Sequence, residues 1–281
     1  MAVPDPSGAD IDDVLARWQQ GDCVVGDQWF LYRVDPGRSI SATAQEACDP
    51  ETGNVEVEVR GFAVLTQTCD LVRSCVQRPF VEVSPLEPLR EDEWRAALRG
   101  RLPRFAVVPG LAEQRLAVDL DRVMTVEKSI VAGWIRTQGC RTDEEARLFA
   151  LALARKRARF AFPDDFIVQV RPLQRRLTEK HDKQSDEGRA LRALREIRVR
   201  AAPTWEAEVV ELTFFFIRDA EDVDFEGRRW DSFLEAWLGR FTAGGRFKDS
   251  SGVVLALEDL SARDYVESDP LDLRYLSERS E

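Results

Sequence analysis

Between Val55 and Val59 valine alternates with glutamate, VEVEV, the period-two pattern of a strand with one face in a core and the other in water. At Phe62–Thr66 the alternation stops and apolar residues run on without a polar break, which predicts a strand buried on both faces. A polar connection, Gln67–Gln77, leads to a second apolar segment, Phe80–Val83, which Ser84-Pro85 is expected to end. Upstream, Ile11–Trp18 reads as a helical turn or two, Gly21–Val34 as a β-hairpin turning at Gly26-Asp27, and Asp35–Asn54 as a long loop. Downstream, Glu91–Arg99 predicts an exposed helix, and Phe105–Val108 and Leu116–Leu120 predict two short strands. Strands at this spacing make a small barrel or sandwich.

From Gly133 the pattern changes to helical spacing. Thr142 and Glu145 form a capping box ahead of Phe149, Leu153 and Phe160, with Arg155, Lys156, Arg157 and Arg159 on the other faces. Pro163 with Asp164 and Asp165 opens a second helix, whose apolar positions Phe166, Val170, Leu173 and Leu177 share one face; Pro172 should kink or divide it. A third helix, Ser185–Glu196, precedes a strand at Ile197–Val199. Val209–Ile217 is apolar on both faces and reads as a central strand, Trp230–Phe241 carries a helical apolar stripe, and Gly252–Leu257 supplies a last core strand. Residues 258–281 form an acidic, amphipathic tail. The expected organisation is α+β: an N-terminal arm at 1–18, a small barrel at 19–133, and an α+β domain at 134–281 with basic helices at about 142–196.

A chain of 281 residues, 44% hydrophobic and 32% charged, is long enough for two domains and has the composition of a folded protein. No apolar run reaches the ~20 residues a membrane helix needs, and the start is acidic where a signal peptide would be basic, so a cytoplasmic protein without membrane association is expected. Five cysteines in no paired spacing indicate neither a disulfide framework nor a zinc site, and the single histidine, His181, removes most metal and triad chemistry. No metal or cofactor is expected. The net charge of −11 opposes non-specific nucleic-acid binding. It is unevenly spread: about −8 over residues 1–60, about +1 over 61–139, about +6 over 140–200 and about −10 over 201–281.

The succession GDCVV, VRGFAVLTQ, FVEVSPL, LPRFAVV and VDLDRVMTVEKSIV resembles the PemK/MazF toxin family over about residues 19–133. Its most specific part is the closing segment with Asp121, Arg122, Thr125, Glu127 and Lys128. The resemblance implies an SH3-like β-barrel and a metal-independent endoribonuclease, usually a homodimer neutralised by an antitoxin. It would place the family's catalytic arginine at Arg60, its following proline at Gly61 and its hydroxyl residue at Glu87.

The residues leave several chemistries open. Arg60 with Gln67, Thr66 or Thr68 could polarise a scissile phosphate, since the guanidinium fork matches phosphate oxygens and the RNA 2′-hydroxyl would supply the nucleophile. Cys69 beside Asp70 could act as a nucleophile with His181, although the adjacent carboxylate would raise the thiol pKa; the plainer reading is a strand-end turn in which Thr68 and Asp70 cap the backbone. Arg155, Lys156, Arg157 and Arg159, then Arg171, Arg175, Arg176 and Lys180, could contact nucleic acid or simply face water. Asp164-Asp165 reads as the charged start of a helix rather than a metal pair. The function classes are a toxin–antitoxin or phage-defence component that cleaves or binds RNA, a catalytically inactive adaptor binding partner proteins, and a thiol enzyme built on Cys69. Glu87 in place of a hydroxyl residue and the net acidity favour the adaptor.

Overall fold

A computed structural model describes residues 8–98, 102–158, 160–218, 225 and 229–271, and resolves an α+β chain into two compact units, Met1–Ala158 and Arg159–Glu281. The first unit begins with α1 (Gly8–Leu15) and β1 (Cys23–Arg33). Gly26-Asp27 is not a hairpin turn. β1 runs through it as one strand antiparallel to β2 (Asn54–Val64), and because Val25 pairs with Gly61 while Gln28 pairs with Val59, Gly26 and Asp27 together oppose Arg60. This is a β-bulge, and Gly26 takes its positive φ of 130°. Bulges and hairpin turns draw on the same residues, which is why the sequence pattern mistook one for the other.

The expected long loop contains structure too: a 3-10 turn at Pro36–Arg38 and α2 (Ala42–Ala47), capped by Ser41, whose hydroxyl accepts the Ala44 N–H at 3.2 Å. After β2 comes the short α3 (Thr68–Leu71), then β3 (Phe80–Pro88). Ser84-Pro85 does not end that strand. β3 changes partner there, pairing Val83 with Val64 and Pro85 with Phe62 on β2, then Leu86 with Val118 on β5. A proline is tolerated where a ladder is handed over. The remaining elements are α4 (Glu91–Leu98), β4 (Phe105–Val107), β5 (Leu116–Asp119), β6 (Met124–Glu127), α5 (Lys128–Ala132) and α6 (Asp143–Arg157).

Strand order is β1-β2-β3-β5-β4, with β6 on the first half of β3. No ladder among the described strands joins β6 to β1, so the sheet is not a closed barrel. A core on each of its faces explains the doubly apolar stretch. Phe62 and Val64 enter a core with Trp18, Phe30, Val81 and Val83, whereas Ala63 and Leu65 enter another with Leu86, Val118 and Phe149.

The second unit contains α7 (Asp164–His181), α8 (Asp186–Arg192), β7 (Leu194–Ala202), β8 (Val210–Arg218), α9 (Trp230–Leu238), β9 (Phe247–Ala256), α10 (Ala262–Val266) and β10 (Asp269–Pro270). α7 runs as one helix through Pro172, and α8 stops at Arg192, so β7 is longer than the sequence pattern suggested. The sheet order is β10-β7-β8-β9; β8 is indeed central, and β9 lies parallel to it, as α9 between them permits. Phe214 and Phe216 of β8 pack with Phe166, Val170, Leu173 and Leu177 of α7 and Phe233 and Trp237 of α9. β9 is an edge strand exposed over much of its length rather than a core strand. The arm at 1–7 and the tail beyond Leu271 lie outside the described residues.

Candidate functional site

The turn after β2 is built from below. Thr66 Oγ1 accepts the Glu82 N–H at 2.7 Å, and Thr68 Oγ1 accepts the Gln20 N–H at 3.1 Å, while Gln20 Nε2 donates to the Leu65 carbonyl at 2.7 Å. Lys128, buried at the start of α5, donates from Nζ to the carbonyls of Asp70, at 3.3 Å, and Arg73. Burial lowers the Lys128 pKa, an effect that Asp12 and Asp70 partly oppose. Asp12 of α1 accepts the Cys75 N–H at 2.7 Å, and that bond holds its carboxyl below the usual range; Cys75 is itself pushed up, first by desolvation and then by Asp12. The turn is therefore fixed from α1, β3 and α5. Its outer surface is apolar at Val72, at Val76 (84% exposed), and at Phe80 where β3 begins (62% exposed).

The proposed catalytic residues do not converge. Gln67, Thr68, Cys69 and Asp70 lie together on this turn, with Cys69 Sγ 3.7 Å from Gln67 Oε1 and Asp70 3.6 Å from Arg73. Arg60 is upstream of the turn on β2, five strand steps before Leu65, roughly 16 Å. Its guanidinium meets Asp27 of the β1 bulge at 3.7 Å, and both side chains are exposed. His181 belongs to the second unit and lies 2.8 Å from Asp182 Oδ1.

A denser polar cluster forms where β3 crosses to β5. Asp119, wholly buried, accepts Arg104 Nε at 2.9 Å, Arg104 Nη2 at 2.8 Å and Arg122 Nε at 2.6 Å. Burial pushes its carboxyl up, but the two guanidiniums outweigh that and hold it below the ordinary range. Arg122 Nη2 also binds Glu87. Continuing the β2–β3 register would set Arg60 opposite Glu87, but β3 has turned to β5 by then and the Glu87 carboxylate is held by Arg122. Gly61 has a φ of 132°, and a Cβ there would sit 2.1 Å from the Val24 carbonyl oxygen. Proline, fixed near −65°, cannot take that conformation. Asp22, of the opening Gly-Asp pair, is likewise structural: buried, it accepts Arg136 Nε at 2.6 Å, Gln19 N–H at 2.8 Å and Gly139 N–H at 3.2 Å.

The basic residues divide. Lys156 binds Asp121, and Arg157 binds Glu82 at 2.6 Å, both within the first unit. Arg155 is exposed and makes no ion pair among the described residues; Arg159 lies outside them. In the second unit Arg176 is clamped to Glu187 at 2.9 and 2.7 Å, while Arg171 and Arg175 make no ion pair among the described residues. Asp165 receives two bonds from Arg246, at 2.6 and 3.0 Å, and with Asp164 forms the acidic first turn of α7.

Sequence reasoning missed the Lys128–Asp12 support of the turn, because nothing in local spacing joins residues so far apart. It also missed Arg240, which the fold brings beside Arg171 and Arg175. Among the described residues no helix is long and apolar enough to cross a membrane, and no group of side chains is arranged to hold a metal ion. No family model and no curated protein matches the chain.

Proposed function

We propose that the chain is a non-catalytic binding component of a multi-protein system of the toxin–antitoxin or phage-defence type, and that its first unit engages a partner protein through the Gln67–Phe80 segment. The observation that carries this reading is the fate of Glu87. It stands where the PemK/MazF resemblance expects a hydroxyl, and its carboxylate is spent on Arg122, which is itself held by Asp119. Arg60, the corresponding cation, faces Asp27 across a bulge instead of joining the turn. The rigid turn with Val72, Val76 and Phe80 at its surface has the character of an interaction surface, in which ordering costs are met before binding.

The test compares two variants. Purified protein incubated with RNA, with and without chelator, should release no cleavage product, and Arg60→Ala should leave the cellular phenotype unchanged. Val76→Asp with Phe80→Ser should abolish that phenotype while far-UV circular dichroism stays as in the wild type. RNA cleavage that Arg60→Ala reduces by a factor of about 100 to 1,000, the usual loss for one preorganised donor, overturns the reading in favour of a metal-independent endoribonuclease.

A further inference from the structure

The exposed side of α7 and the end of α9 enclose an open concavity of about 520 Å³ in the second unit. Arg171 and Arg175 line it from successive turns of α7, and Arg240, just beyond α9, lines it from the other element. Among the described residues these three guanidiniums have no carboxylate partner and no hydrogen bond to protein, whereas Arg60, Arg104, Arg122, Arg136, Arg157 and Arg246 are all paired. Like charges four residues apart on a helix repel, so Arg171 and Arg175 work against the isolated helix. A fourth guanidinium, Arg176, borders the same concavity and is oriented by Glu187, whose Oε1 also accepts Trp237 Nε1 at 3.3 Å. Unpaired, convergent guanidiniums match the oxygens of phosphate, which they bind with a planar fork.

We propose that this concavity binds a compact polyphosphate anion, of the inorganic triphosphate or nucleoside triphosphate class. Arg171 and Arg175 are separated by about 6 Å along the helix, the rise of four residues, so that their guanidiniums can hold the two end phosphates of one triphosphate. Two further features select a compact anion over a polynucleotide. One turn further, Glu179 closes the lining with a carboxylate, so the cationic surface does not continue as a track for a phosphodiester backbone. The chain's net charge of −11 further disfavours a long polyanion. Val168 and Pro172 give the concavity an apolar wall against which a nucleoside could lie, and comparing ligands tells whether it is used. The proposal is independent of the role assigned to the first unit.

The experiment is calorimetric titration of the full chain at low salt with inorganic triphosphate, with ATP and with GTP, followed by competition against a single-stranded RNA oligomer. Triphosphate should bind. Arg171→Ala, Arg175→Ala and Arg240→Ala should each weaken it about tenfold or more, the usual loss of one charge-assisted contact. Arg155→Ala, on α6, should leave it unchanged. A nucleotide that binds at least about tenfold tighter than triphosphate identifies the nucleoside form as the ligand; equal affinities identify the phosphate chain alone as what is recognised. All three positions are at the surface, so the variants should keep wild-type circular dichroism. Should one not, Arg240→Glu repeats the test from outside the helices. Failure of triphosphate and both nucleotides to bind, alanine variants that bind as wild type, or binding of the RNA oligomer that triphosphate does not displace would each overturn the proposal.

Discussion

The carboxylate of Asp119 shows how one residue can decide what its neighbours are available to do. It is wholly buried, and burial alone would favour the neutral acid; Arg104 and Arg122 reverse that and keep it ionised. Because its folded pKa lies below the unfolded value, the stability it contributes is fully present above the ordinary Asp pKa of about 3.9 and is lost as pH falls through the folded value. Acid unfolding monitored by near-UV circular dichroism should therefore begin below about pH 4. Asp119→Asn should destabilise the first unit by about 2 to 3 kcal/mol at neutral pH, since it removes the buried charge that two guanidiniums share and leaves Arg122 with Glu87 alone and the half-exposed Arg104 with Asp121 alone. A denaturant midpoint unchanged in this variant would mean that the cluster is neutral to stability. The same cluster holds Arg122, and through it Glu87, so the position where a catalytic hydroxyl was expected serves as part of an ion-pair chain.

At the scale of elements, legibility followed how local the deciding interaction is. The doubly apolar stretch at 62–65 was readable because alternation stops there, and the two cores on either side supply the reason. β8 was readable for the same cause, an apolar run with both faces buried, and α9 was readable from the helical spacing of its apolar stripe. The Gly26-Asp27 bulge and the partner change at Pro85 were not, since each depends on which strand lies alongside. The candidate site was legible only in part: the sequence pointed to the Gln67–Asp70 turn and to Arg175, but not to the distance of Arg60 from the former or to Arg240 beside the latter. Gly61 is where backbone and packing coincide most sharply. With φ of 132° and the Val24 carbonyl at 2.1 Å from any Cβ, Gly61→Ala must strain the backbone and push β1 and β2 apart. The expected cost is about 2 to 4 kcal/mol, read as a lowered urea midpoint, and an alanine variant as stable as the wild type would show that the two strands can separate there without penalty.

For the molecule as a whole, the distribution of charge sets which anions can approach and when. At neutral pH the chain carries −11, and of the basic residues that cluster in its sequence Lys156, Arg157 and Arg176 are already paired with carboxylates of their own units. Among the described residues Arg155 stays unpaired on α6, and the one concavity lined by several unpaired cations is that of Arg171, Arg175 and Arg240, set against a repulsive field that grows with the size of the anion. A long RNA should therefore be excluded at neutral pH and low salt, although the same surface is open to a compact anion. Near the sequence pI of about 4.9 the field vanishes, while Asp119, with its lowered pKa, still holds the first unit folded. Between about pH 5 and pH 4 the protein should consequently self-associate and begin to retain RNA while its near-UV circular dichroism remains native. Light scattering and filter retention of labelled RNA, measured on the same samples across that range, check the expectation. Retention of RNA at pH 7.5 that resists Arg171→Ala and Arg240→Ala would place the relevant cations elsewhere, and retention that appears only together with loss of the near-UV signal would mean that unfolding, not charge reversal, exposes the binding surface.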